Sequence, residues 1–260
     1  NYTMLYVISN PEIDIIQPEV SGTPPHNSTF TSNIVVENTG NDVVYSVVMQ
    51  TVGGNLFYDC PLCTVSFTPP TQDVVQPPNK DLTNTYNFTD TIRVTIPVGQ
   101  SQGNYWTKLR AQTDNAGYDE SLLNLTVPTD DTWDRTPENF STKVTPTNTS
   151  GVIGLLNMTN YGNIKLNIRI FVTQNGSGFV YAAPNYLSLE KQTSRTSFIN
   201  YTIPIDAERE MYYVELQIVN EDKPLEPKFT SFWFNVSDTP PDIIDVNITA
   251  NGTPCASVMR

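Results

Sequence analysis

Three observations predict an all-β chain folded as two tandem sandwiches: a strand-bounded motif that occurs twice, apolar residues at alternate positions, and no sustained helical period. Val36-Glu37-Asn38-Thr39-Gly40-Asn41 leads into Val43, Tyr45, Val47 and Met49, and Met158-Thr159-Asn160-Tyr161-Gly162-Asn163 leads into Ile164, Leu166, Ile168 and Ile170. Alternation on both sides of an Asn-x-Gly-Asn bend reads as an antiparallel hairpin, with Gly and Asn supplying positive φ at the turn. The remainder of the repeat follows. Val94-Thr95-Ile96-Pro97-Val98 is echoed by Tyr201-Thr202-Ile203-Pro204-Ile205. Asn104 to Leu109 is echoed by Met211 to Leu216, and Asn124 to Val127 by Trp233 to Val236.

Residues 1–10 read as a last strand, because Leu5 to Asn10 matches Trp233 to Asp238. Domain one spans 11–129. It opens at Pro11, runs through the first hairpin, and continues in strands near 85–98, 105–112 and 122–127. The repeat offset falls from 122 at the hairpin to 107 at Val94, so the first copy holds fifteen extra residues. The turn-rich stretch 59–80, with Cys60, Cys63 and five prolines, reads as that insertion. Domain two spans 130–240. Residues 241–260 read as a first strand, since Pro241 to Val246 matches Pro11 to Ile16. Each domain is long enough to bury a core of its own.

The formal charge is −13, with only 14 Lys plus Arg, which argues against nucleic acid or an anionic membrane as partner. No apolar run approaches the roughly 20 residues of a membrane span, so membrane insertion is not expected. The sequence opens without Met or a signal-like segment, the expectation for a processed form or a window of a longer protein.

Twelve Asn-x-Ser/Thr sequons stand at Asn1, Asn27, Asn87, Asn124, Asn139, Asn148, Asn157, Asn175, Asn200, Asn235, Asn247 and Asn251. With 50 Ser plus Thr in 260 residues and 26 asparagines, chance supplies about five. The excess predicts an extracellular, N-glycosylated surface, with some sequons facing inward or sitting awkwardly, so that not all twelve are occupied. N-linked glycans are the only non-protein groups expected; no cofactor is.

Cys60-Pro61-Leu62-Cys63 lacks the helix N-terminus that activates redox pairs, and zinc would have only Cys255 and His26 as further ligands. A Cys60–Cys63 disulfide is expected, with Cys255 free or bridging to a neighbouring copy. Asp114, Asn115, Asp119, Glu120, Asp130 and Asp131 could offer oxygens to calcium, but without a calcium-loop spacing they read as solvated tips, so no metal site is expected. One histidine and no nucleophile elbow or phosphate-binding loop predict no catalytic residues and no enzyme. Tyr105, Trp106, Tyr212, Tyr213, Phe232 and Trp233 recur at mirrored positions and read as core; a sugar-binding platform is the alternative.

The order of motifs (Pro-x-Ile strand, Val-x-Asn-x-Gly-Asn turn, Ile-Pro strand end, aromatic-Tyr strand, acidic loop, closing strand) resembles the CARDB-type and related immunoglobulin-like repeats of archaeal and bacterial cell-surface proteins. The resemblance covers about 220 residues in two copies. It implies seven-stranded sandwiches used for display, adhesion or envelope assembly, with no catalytic residues to carry over. Two roles follow for the unmatched ends. In the first, Leu5, Tyr6, Val7 and Ile8 are a donor strand that completes a neighbour's sheet, building a head-to-tail, pilus-like glycoprotein filament of copies of this chain. In the second, the chain is part of a tandem stalk, adhesin or surface-layer protein, with cell-surface or glycan partners.

Overall fold

The computed structural model describes residues 6–78 and 86–237, and the backbone of 249–250 and 253–254. The chain divides into two compact units, Asn1–Asp131 with Gly162–Ile164, and Thr132–Tyr161 with Lys165–Arg260. Leu5, Cys255 and the sequon asparagines Asn1, Asn247 and Asn251 lie outside the described residues.

In the first unit the strands are β1 (Ile13–Ile15), β2 (Glu19–Gly22), β3 (Ser28–Asn38), β4 (Val44–Val52), β5 (Thr64–Thr68), β6 (Thr71–Val75), β7 (Asn87–Ile96), β8 (Gly103–Gln112) and β9 (Tyr118–Val127), with one helical turn, α1 (Leu56–Asp59), after β4. They form a four-stranded sheet, β1-β3-β7-β5, and a five-stranded sheet, β2-β9-β8-β4-β6. In the second unit the strands are β10 (Trp133–Thr136), β11 (Lys143–Pro146), β12 (Thr149–Asn160), β13 (Leu166–Thr173), β14 (Val180–Ala183), β15 (Tyr186–Leu189), β16 (Ser194–Ile203), β17 (Met211–Asn220) and β18 (Lys228–Ser237). They repeat the same order in sheets β10-β12-β16-β14 and β11-β18-β17-β13-β15. A final pair, β19 (Thr249–Ala250) and β20 (Thr253–Pro254), is antiparallel.

Each unit is an immunoglobulin-like sandwich of seven strands, two of them divided between the sheets. The first strand begins antiparallel to β3 as β1 and ends parallel to β9 as β2. The strand after β4 begins on β7 as β5 and returns to β4 as β6. Alternation explains the packing: along β3, Ile34, Val36 and Asn38 point inward while Val35 and Glu37 face outward or sideways. Ile34, Val36, Ile92, Leu109, Leu123 and Leu125 are fully buried in the first core, and Leu156, Met158, Ile168, Val214, Leu216 and Phe234 in the second. Each such side chain contributes about 1.5–3 kcal/mol on burial. Both sandwiches also carry a tyrosine corner at the start of their sixth strand: Tyr105 donates its hydroxyl to Ser101 O at 2.7 Å, and Tyr212 to Glu208 O at 3.0 Å.

The fold differs from the sequence expectation in two places. The Asn-x-Gly-Asn motif is not a hairpin, because β3 and β4 belong to different sheets, as do β12 and β13. It is an arch carrying the chain across the core. Residues 59–80 are likewise not one insertion, since β5 and β6 have counterparts in β14 and β15. Equivalent register positions show where the extra residues lie. The offset is 122 from Val44 to Leu166, 115 from Val65 to Val180, 114 from Val75 to Leu189 and 107 from Ile96 to Ile203. Seven of the fifteen additions therefore fall between Val44 and Val65, one between Val65 and Val75, and seven between Val75 and Ile96, and the loop before β5 carries α1 and the cysteines.

Candidate functional site: entry clamps and sequon-bearing faces

Each arch grips the chain that enters its sandwich. Asn41 accepts the Asn10 N–H on its side-chain oxygen at 2.7 Å, donates Nδ2 to Ile8 O at 2.9 Å, and donates its backbone N–H to Asn10 O at 3.0 Å. Asn163 makes the same three bonds. Its side chain accepts the Asp130 N–H at 2.8 Å and donates to Pro128 O at 2.8 Å, and its backbone donates to Asp130 O at 2.8 Å. The first asparagine of the motif looks the other way. Buried Asn38 donates to Val75 O at 3.1 Å at the end of β6, and buried Asn160 donates to Leu189 O at 3.3 Å at the end of β15.

The glycine between them is required by close approach, not by a positive φ, which neither Gly40 nor Gly162 has. A Cβ on Gly40 would lie 2.1 Å from Asn10 O, and one on Gly162 2.2 Å from Asp130 O. The motif is thus one device: an anchor to the sheet edge, a gap for the entering backbone, and a clamp upon it. Around the first clamp, the Ser9 hydroxyl donates to the Asp42 carboxylate and holds it below the usual carboxylate range. Near the second, His26 Nδ1 accepts the Gly99 N–H at 3.2 Å, leaving Nε2 to donate to Asp130 Oδ2 at 2.7 Å.

Of the side chains considered for calcium, Asn115, Asp119, Glu120 and Asp130 bond to the protein. Asn115 bonds Tyr45 N and Val43 O, and Asp119 accepts the Ile15 N–H. Glu120 pairs with Lys108 at 2.7 Å and Arg110 at 2.5 Å, and those hydrogen bonds, Lys108's first, lower its pKa. Cys60 and Cys63 form a disulfide with Cα atoms 5.3 Å apart, both buried under the first core.

None of the nine described sequon asparagines is buried; Asn27, Asn139, Asn148 and Asn175 are exposed, and Asn87, Asn124, Asn157, Asn200 and Asn235 half-buried. The four asparagines buried among the described residues, Asn38, Asn160, Asn163 and Asn220, all lie outside sequons. The aromatic set divides as well. Tyr105, Tyr212 and Phe232 are core, but Trp106 and Trp233 face solvent, with Tyr213 packed against Trp233 at 5.1 Å between ring centroids. Neighbours on one strand point to opposite faces, so Tyr105 and Trp106 cannot both be inside. Tyr6, Val7 and Ile8 are exposed and belong to no strand.

No family model matches this chain, and no curated protein does. Among solved structures, a protein of unknown function from Porphyromonas gingivalis W83 is 11% identical, with 86% of this chain and 99% of that one covered and a TM-score of 0.34. The YadV chaperone is 11% identical over 85% and 98% of the two chains, with a TM-score of 0.30. Extracellular cadherin domains 1–4 of protocadherin gamma B7 are 9% identical over 89% and 51%, with a TM-score of 0.35. The architecture rests on the strand topology itself. No described helix is long and apolar enough to cross a membrane.

Proposed function

We propose that this chain is part of a tandem array of N-glycosylated immunoglobulin-like sandwiches on the outside of a cell, a non-catalytic stalk or display scaffold. The carrying observation is the repeated clamp. Asn163 holds Pro128–Asp130, the residues that directly follow β9, the last strand of a sandwich. Asn41 holds Ile8–Asn10 with the same three bonds, so Val7 stands where Val127 stands at the end of β9. By that equivalence Tyr6 and Val7 take the place of the end of a last strand, as expected where the chain passes from one sandwich of an array into the next. The outward placement of the sequon asparagines and the Cys60–Cys63 disulfide support an oxidising, extracellular setting.

The exposure of Tyr6, Val7 and Ile8 favours a second reading, in which that tail enters a neighbouring copy and builds a filament. Both five-stranded sheets already contain their own last strand, β9 or β18, so neither offers a vacant place for a donor, and the array is preferred. Sedimentation velocity on the secreted chain, with and without residues 1–10, tests the choice. The array predicts monomers for both. Concentration-dependent polymers that vanish on truncation would replace it with strand donation.

A further inference from the structure

We propose that the outward apolar side chains around Asn200 and Asn235 are rests for the first sugars of N-linked glycans on those asparagines, so that each glycan lies along its own sheet. This rests on the glycosylation reading above and adds where the sugar goes and what it touches.

On β16, Asn200 has Val152 of β12 as its register partner on one side and Tyr181 of β14 on the other. Phe198 stands two residues earlier on the same face. On β18, Asn235 has Met211 of β17 on one side and Val144 of β11 on the other, with Trp233 two residues earlier. All six neighbours are large apolar side chains between 47% and 57% exposed. The same three-sided nest therefore surrounds one sequon on each sheet of the second sandwich. In the first, Trp106 of β8 is the register partner of Asn124.

Register partners have Cβ atoms about 4.5–5.5 Å apart, and residues i and i+2 share a face at about 7 Å. Those spacings match one pyranose ring attached to Nδ2. A pyranose presents C–H groups on its faces and hydroxyls at its rim, so it lies flat on an aromatic or aliphatic surface with its rim in water. Exposed apolar side chains gathered in patches usually mark a contact. Here the sequon asparagine places an attachment point inside each patch, which makes the glycan the occupant. Asn148, by contrast, sits in the turn between β11 and β12 at a φ of 56°, outside any strand pairing, and serves as an internal control.

The full chain is secreted from a eukaryotic host that attaches N-glycans, and peptide mass mapping reads occupancy at Asn200. Thermal unfolding is then compared for wild type, Thr202→Ala (which removes the sequon and leaves Asn200), the ring variant Tyr181→Ser with Phe198→Ser, and the combination. Loss of the glycan should lower Tm by about 2–4 °C with the rings present and by less than about 1 °C without them. Ser150→Ala, which removes the Asn148 sequon, should shift Tm by less than about 1 °C. An equal drop with and without the rings, or no drop in either, overturns the rests while leaving glycosylation in place. An unoccupied Asn200 overturns glycosylation at that position and the rest with it. Tyr181→Ser alone provides the same comparison if the double ring variant is poorly secreted.

Discussion

The Asn41 side-chain oxygen accepts the backbone N–H of Asn10 at 2.7 Å, which ties a residue before the first strand to the arch between the third and fourth. The gap that admits Asn10 is closed to any side chain, because a Cβ on Gly40 would lie 2.1 Å from its carbonyl oxygen. Gly40→Ala should therefore cost about 2–3 kcal/mol by forcing backbone apart. Asn41→Ala should cost about 1–2 kcal/mol through lost side-chain hydrogen bonds alone. Urea unfolding of the two variants checks both the order and the gap between them.

The same clamp should loosen in acid. The Ser9 hydroxyl keeps Asp42 ionised below its usual range, so Asp42 contributes stability that is present above the unfolded carboxylate pKa and is lost as pH falls through the lower folded value. Proteolytic nicking between Ile8 and Asp42 should rise in that acid window for wild type. For Asp42→Asn it should already be raised at neutral pH and vary less with pH.

Asp90 predicts a change of opposite sign. Its side chain is buried; Oδ1 accepts the Thr68 N–H at 2.7 Å, while Oδ2 has no hydrogen-bond partner among the described residues. Burial raises its pKa above the ordinary carboxylate value. The folded state thus binds the proton more tightly, and the benefit, full below the unfolded pKa, is lost as pH rises through the folded one. Asp90→Asn keeps an oxygen for Thr68 and removes the charge. It should stabilise by about 1 kcal/mol at neutral pH, an advantage that fades toward pH 4, as a series of denaturant midpoints across pH reads directly.

The tyrosine corners give a third test. Tyr105→Phe leaves the ring in the core but removes the bond to Ser101 O and an acceptor for Gln100 Nε2 at 2.6 Å. A loss of about 1–2 kcal/mol is expected, and Tyr212→Phe should lose a similar amount at Glu208 O. Calorimetry on the two variants should show each affecting the transition of its own sandwich.

The two-copy plan, the alternation and the sequon excess were legible because each is a local pattern. What alternation cannot say is which sheet a strand joins. That is why the segments flanking Asn38–Asn41 looked like a hairpin although β3 and β4 pair with different partners. Gly40 was visible as a constraint, but its cause, the backbone of Asn10 passing by, is a contact 30 residues distant. β5 and β6 were hidden by the prolines at 69 and 70 that join them, though Val65 and Phe67 alternate with Thr64, Ser66 and Thr68. At the N-terminal tail the sequence match differs from the structural one by a residue: Tyr105–Leu125 and Tyr212–Phe234 pairing makes Val127 equivalent to Val236, and the clamps then set Ile8 against Ser237 rather than Val236. The solvent-facing Trp106 and Trp233 were foreseeable from their strand neighbours Tyr105 and Phe232, since adjacent residues take opposite faces.

Native-state hydrogen exchange at four backbone amides tests the clamp account most directly. In wild type the amides of Asn10, Asn41, Asp130 and Asn163 should all be protected. Asn41→Ala should release Asn10 while leaving Asp130 protected, and Asn163→Ala should do the reverse. Fast exchange at Asn10 in wild type, or protection there that survives Asn41→Ala, would contradict the equivalence of the two entry segments on which the array rests.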